Sequence, residues 1–319
     1  MKPASDTSGT GNVCGADLSA CSSHHSQRAW SLAFSALLTC LMGTVAAAQE
    51  SRPDRIKIEY DLPKNPAHQV IYDKLKQNKA LEKLQEIFSP FRLPIDITLK
   101  TMSCDGVDNA WYQRPNLTIC YEYIDVDIMQ NVPEETTSKG ITPTDATVGP
   151  FFYVVGHEMG HAMFDLLGVP LFGRPEDAAD QFATYMMLLI GKSEARRLIG
   201  GTAHSYHKYM ESPKVNVKVT AFADVHSAPA QRFYNLLCLA YGADREMFGD
   251  LVERGFLPAD RARACRVEFQ EVNFAFEKLI FPYLDAERMK QVLAKDWLPP
   301  PTPPEISYMN SRKRENQAK

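Results

Sequence analysis

Residues 151–168, FFYVVGHEMGHAMFDLLG, have the apolar content of a buried helix and end in glycine, yet they carry His157, Glu158 and His161 within five positions. On a helix, residues four apart project from one face one turn from each other, so the two imidazoles can reach a common point. That separation suits two nitrogen ligands of one Zn²⁺, each at about 2.0–2.1 Å. Glu158, about 100° further round the axis, falls beside such an ion rather than on it. There a carboxylate can act as general base toward a water whose pKa the ion lowers. Val155, Met159, Ala162, Met163 and Leu166 form the opposite, apolar face. One helix is thus expected to serve a core and a polar site together. The plainer reading, two core histidines satisfied by backbone carbonyls beside a solvent-facing glutamate, is weakened by the segment that follows.

A catalytic site of this kind needs a third protein ligand. The extended pattern HExxHxxGxxH is absent, because Phe164 and Leu167 stand where it requires glycine and histidine. GRPEDAAD follows instead, with Glu176 and Asp180 one turn apart at the start of a second helix. The fourteen residues 162–175 accommodate the rest of the first helix, a turn at GVPLFG and a return that aims Glu176 at the metal. Asp180 could then accept a hydrogen bond from the far nitrogen of a ligating histidine and fix its tautomer. Acidic residues at a helix N-terminus are also favoured by the helix dipole. That explains Glu176 and Asp177, but not Asp180 among Ala179, Phe182 and Ala183. Glu176 is preferred to Asp177 as ligand.

The 319 residues, 45% of them hydrophobic, suffice for one large domain or two small ones. A net charge of -4 gives no reason to expect a nucleic-acid footprint or a polybasic membrane surface. Residues 1–48 differ from the rest: a small, polar lead, then an apolar run after Arg28 that ends in Ala46, Ala47 and Ala48. This reads as a secretory signal with a polar N-terminal extension, cut before Gln49, the alternatives being an uncleaved anchor or a lipid attached at Cys40. The product would be periplasmic or secreted, with no stable membrane insertion after cleavage. Removal of Cys14, Cys21 and Cys40 leaves Cys104, Cys120, Cys238 and Cys265. An even four in an exported chain suggests disulfides, and nearest-neighbour pairing gives Cys104 with Cys120 and Cys238 with Cys265.

Within the expected mature domain, 49–297, RIKIEYDL alternates as a strand does, and residues 65–91 place apolar side chains at helical spacing. LPIDITLKTM, NAWYQ and NLTICYEYI read as three short strands, separated by turn-forming residues. Residues 130–149 read as a loop, followed by the motif helix. Past Gly168 the pattern is mostly helical, through RPEDAADQFATYMMLLIG, SAPAQRFYNLLCLAYG, DREMFGDLVERG and residues 258–284. In AHSYHKYM, His204 and His207 read as surface residues, and Tyr185 as core. Residues 298–319, Pro-rich and then charged, read as a disordered tail.

HEMGH followed by EDAAD is similar to the gluzincin pattern of HExxH plus ExxxD found in thermolysin-like and membrane-associated zinc peptidases. More closely, residues from about 100 to 275 resemble a bacterial family of exported metallopeptidases of uncharacterised function. The matching segments are NAWY, ICYE, GHEMGHAMFDLLGVPLFGRPEDAADQFA, DVHSAPAQRFYNLLCLAYG and RACRVEF. The resemblance implies one zinc per chain at His157, His161 and Glu176, Glu158 as base, Asp180 in support, and disulfides near the four mature cysteines. Gluzincins often place a His or Tyr to steady the oxyanion, for which His226 is the candidate here; its alternative role is to cap the following helix. The fold expected is α+β and zincin-like, with a small mixed sheet and the HExxH helix facing a mostly helical C-terminal subdomain across a cleft. NAWYQ could be the sheet edge that pairs with an extended peptide. The expected reaction is zinc-assisted hydrolysis of a peptide bond in a peptide or protein substrate. The rivals are a catalytically silent zinc-containing binding protein and a zinc hydrolase of a non-peptide, cell-wall amide. Substrate and oligomeric state are not legible.

Overall fold

A computed structural model describes residues 54–211 and 222–300. The expected signal segment, 1–48, and residues 301–319 of the expected tail lie outside these. Four short strands form a mixed sheet in the order β1-β2-β4-β3. Here β1 is Ile56–Tyr60, β2 is Ile97–Met102, β3 is Ala110–Gln113 and β4 is Asn116–Cys120. The first three in that order run parallel, and β3 pairs antiparallel to β4 at the edge. In β2 the residues Ile97, Leu99 and Thr101 are buried in strict alternation, whereas Leu117 to Cys120 of β4 are buried without interruption. An unbroken buried run marks a strand covered on both faces. The expected strand NLTICYEYI stops at Cys120, because Met102, its last partner in β2, has been used; residues 121–131 continue as short helical turns.

Between β1 and β2 the single helix expected over 65–91 is two, α1 (Gln69–Gln77) and α2 (Ala80–Phe88). Asn78 ends α1 by donating from its side chain to the Lys74 carbonyl at 2.8 Å, and Lys79 turns the chain with φ of 51°.

The motif lies on α3, Pro143–Leu167, which begins well before the position expected from its apolar run. Thr142 accepts a hydrogen bond from the Asp145 amide at 3.0 Å and Pro143 occupies the first turn, a start signal hidden in a stretch that composition marks as loop. Gly168, at φ of 63°, closes the helix. Next come α4 (Pro175–Leu189), α5 (Lys192–Glu211), α6 (Pro229–Ala243), α7 (Ala259–Leu279) and α8 (Ala286–Leu293). DREMFGDLVERG is two single turns, Arg245–Phe248 and Asp250–Glu253, rather than one helix. The helix α5 has no counterpart in the sequence reading. Its Gly200-Gly201 pair weakens the helical signal, yet a Cβ on Gly201 would stand 1.8 Å from the Asp145 carbonyl oxygen, so the crossing with α3 demands glycine.

A second close approach positions the site. Cβ atoms on Gly156 and Gly160 would meet Ala183 Cα at 3.2 Å and Phe182 Cβ at 3.1 Å. These glycines precede His157 and His161 by one residue each, so α4 lies against the very turns that carry the imidazoles. The core below joins Met159, Met163, Phe182, Tyr185 and Met186 with residues of the sheet and of α7. Tyr185 is in that core as expected, stacked on Phe276 with ring centroids 3.8 Å apart. His204 is half-buried, its Nε2 3.2 Å from the Asn131 carbonyl oxygen, rather than a surface residue. Disulfides join Cys104 to Cys120 and Cys238 to Cys265, in the nearest-neighbour pairing. Leu298 packs on the core and the Pro299 carbonyl accepts from Arg197 at 2.7 Å. Among the described residues no helix is long and apolar enough to cross a membrane.

Candidate active site

His157, His161 and Glu176 converge. His157 Nε2 lies 3.0 Å from Glu176 Oε2, His161 Nε2 lies 3.2 Å from the same oxygen, and the two Nε2 atoms are 3.2 Å apart. His157 Nδ1 donates to Asp180 Oδ1 at 2.7 Å, which orients the ring and aims Nε2 at Glu176 and His161. Three candidate ligand atoms thus crowd a single point, where a proton between His157 and Glu176 or a bound cation can hold them together. A tetrahedral ion with bonds of about 2.0–2.1 Å holds its ligand atoms about 3.3 Å apart, within a few tenths of an ångström of the separations here. The residues present therefore fit a metal ion.

The electrostatics agree. Burial opposes a charge on His157, but its hydrogen bonds to Asp180 and Glu176 outweigh that and push its pKa up to about 9. The bond from His157 holds the Glu176 carboxyl down to about 2, against the opposing effect of burial. Burial also opposes the charged form of Asp180, yet the Arg232 guanidinium and His157 hold its carboxyl well below the usual range. Glu158 is pushed upward, chiefly by burial, with only 7% of its surface exposed. This environment stabilises positive charge at His157, disfavours it on His161 through burial and the neighbouring His157 charge, and leaves Glu158 a stronger base than a solvated carboxylate.

Asp177, the alternative ligand, points elsewhere: its Oδ1 accepts from Ser227 Oγ at 2.6 Å. His226 joins the site, with Nε2 2.9 Å from Glu176 Oε2 and its ring stacked 6.0 Å from that of His157. It does not cap the helix that follows. Asp224 holds it, accepting from the His226 backbone amide at 2.8 Å and lying 3.2 Å from Nδ1, while Arg174 donates to the Asp224 carbonyl.

Two contributions escape the sequence reading. Arg232, the one basic residue of α6, grips Asp180 through two bonds of 2.7 and 2.6 Å, and its guanidinium lies over the rings of Tyr153 and Tyr206. A lone arginine among PAQRFYNLLCLAYGA was the available signal. The other is a backbone group: the Tyr112 amide of β3 donates to Glu158 Oε2 at 2.8 Å, tying the edge strand to the motif helix. Ala110 and Tyr112 alternate with the residues that bond to β4, so their peptide groups face outward from the sheet edge. Beside them opens a cleft of about 720 Å³ lined by the convergent triad, Glu158, His226 and Arg232.

A family described as "Putative metallopeptidase" matches residues 60–280, more than two thirds of the chain. The chain belongs to this metallopeptidase family. No curated protein and no solved structure matches it. Family membership supports a metal-dependent hydrolase of peptides or proteins at that level of description, and the match spans every residue of the site from Tyr112 to Arg232.

Proposed function

We propose that this family member is a zinc-dependent peptidase in which His157, His161 and Glu176 hold the ion, Glu158 is the general base and His226 steadies the oxyanion. The observation that carries the reading is the convergence of two imidazole nitrogens and one carboxylate oxygen, all within 4.8 Å of one another, with Glu158 on the same helix and a cleft in front. A purely structural site needs ligands but no base, so the buried Glu158 favours an enzyme. When bound, zinc would polarise the scissile carbonyl and lower the pKa of the attacking water.

The chain's own residues do the remainder. Arg232 and Asp180 orient His157. Glu158, held by the Tyr112 amide, takes a proton from the attacking water and hands it to the leaving amine, so the carboxylate ends as it began. His226, braced by Asp224, offers a hydrogen bond to the developing oxyanion at the cleft wall. The outward groups of β3 other than the Tyr112 amide, which Glu158 already takes, offer an extended substrate an edge to pair with.

The test is Glu158→Gln. Zinc should stay near one per chain while hydrolysis of a broad peptide library falls at least about 100-fold. Wild-type protein without zinc refutes the metal assignment. Wild-type protein that binds zinc and peptides without turnover is the silent binding protein, and one that cleaves only cell-wall amides is a hydrolase of another class.

A further inference from the structure

The acids lining the cleft differ in one respect. Asp165 is paired with Arg114 and Tyr112, Glu176 is contacted by three imidazoles, and Glu158 accepts from a backbone amide. Asp127, on the helical turns after β4, lines the same cleft, and no Lys, Arg or His among the described residues forms an ion pair with it. Its backbone carbonyl accepts from Asn131 at 2.9 Å and from Ser205 at 3.3 Å, which ties the turn to α5 and leaves the carboxylate to the cleft. Burial, then the charge of Asp108, push this carboxyl up to about 6. A half-buried carboxylate without a counter-charge is unfavourable on its own and becomes favourable when a cation arrives.

Its surroundings suit a cation. Tyr206 and Tyr209 line the cleft from α5 and Tyr123 from the turn of Asp127 itself. Aromatic faces attract ammonium and guanidinium groups. The Tyr123 phenol is held neutral by burial and then by the negative charge of Asp127, and Tyr123, Asp127 and the base Glu158 line one cleft. Arg232, whose guanidinium lies over the Tyr206 ring, is already committed to Asp180.

We propose that Asp127, with the rings of Tyr123, Tyr206 and Tyr209, forms a subsite for a substrate cation beside the scissile bond, either a lysine or arginine side chain or a free amino terminus. The proposal rests on the peptidase reading for its substrate class, but its test separates the two. Zinc-loaded protein is given peptides that carry lysine, arginine, norleucine or glutamate at one flanking position, each with a free or acetylated amino terminus. Cleavage is followed by mass spectrometry, and binding to the Glu158→Gln variant by fluorescence anisotropy.

Lysine and arginine peptides should be favoured over norleucine about tenfold, and Asp127→Asn should bring that ratio close to one. Asp127→Lys should favour glutamate. A preference abolished by acetylation assigns the cation to the amino terminus; one that survives it assigns the side chain. Equal handling of lysine, norleucine and free or acetylated termini by wild type overturns the subsite, as does an unchanged ratio in an Asp127→Asn protein that melts like wild type. Asp127→Ser is a second variant should the first fold poorly. Charge-blind cleavage sinks the subsite alone, charge-selective binding without cleavage sinks the hydrolysis alone, and absence of both binding and cleavage sinks both.

Discussion

Arg232→Met removes a guanidinium that makes two hydrogen bonds to Asp180 while keeping most of its apolar volume. It leaves Asp180, 9% exposed, as a carboxylate with one side-chain donor, the His157 Nδ1–H at 2.7 Å. Breaking a buried ion pair by removing one partner costs about 3–5 kcal/mol. The stacking of Arg232 over Tyr153 and Tyr206 places the expected loss toward the upper half of that range, about 4 kcal/mol. That is a large share of a typical total of about 5–15 kcal/mol. Metal binding should suffer separately: a ligand whose orienting partner is disturbed loses about 10–100-fold in affinity. The assay is denaturant unfolding of chelator-treated protein at neutral pH, with zinc affinity measured by competition against a fluorescent chelator. The double variant Asp180→Asn/Arg232→Met removes the stranded charge, so it should unfold later than Arg232→Met alone while its zinc affinity stays below wild type. An Arg232→Met protein within about 0.5 kcal/mol of wild type, or a double variant no more stable than the single one, would refute the reasoning.

Gly160→Val should push α4 away from α3, because its Cβ would stand 3.1 Å from Phe182 Cβ and 3.2 Å from Ala179 Cα. Stability should fall by about 1–3 kcal/mol, and zinc affinity should fall with it as Glu176 withdraws from the imidazoles; unfolding and chelator competition on one sample check both. Asp127 gives a pH signature. Its folded pKa of about 6 lies above the unfolded carboxylate value, so between about pH 4 and 6 the folded state holds the extra proton and stability falls as pH rises. Asp127→Asn should therefore gain on wild type in denaturant midpoint from pH 4 to pH 7, and a constant difference contradicts it. Over the same window, preference of the wild type for cationic peptides should grow as the carboxylate ionises.

Much of the candidate metal site was legible because its grammar is local. A spacing of four on a helix puts His157 and His161 on one face whatever surrounds them, and fourteen intervening residues bring Glu176 back within reach. Other elements were blurred by residues whose reason is tertiary. The glycines of α5 depress its helical signal, yet they exist because the backbone of α3 passes against them. The first turns of α3 read as loop by composition, and only the Thr142-Pro143 pair marked their start.

The sequence by itself determined the motif helix, the two histidines on its face, the acids at the head of the next helix and the even number of cysteines past residue 48. These follow from backbone periodicity and from counting. Only the tertiary structure decided that Glu176 rather than Asp177 turns inward, that Arg232 stands behind Asp180 from 52 residues away, and that the Tyr112 amide holds Glu158 from 46 residues away. It alone placed Asp127 in the cleft, with no ion-pair partner among the described residues. Such contacts join segments with no shared periodicity, and their geometry exists only once the helices have packed around their glycines.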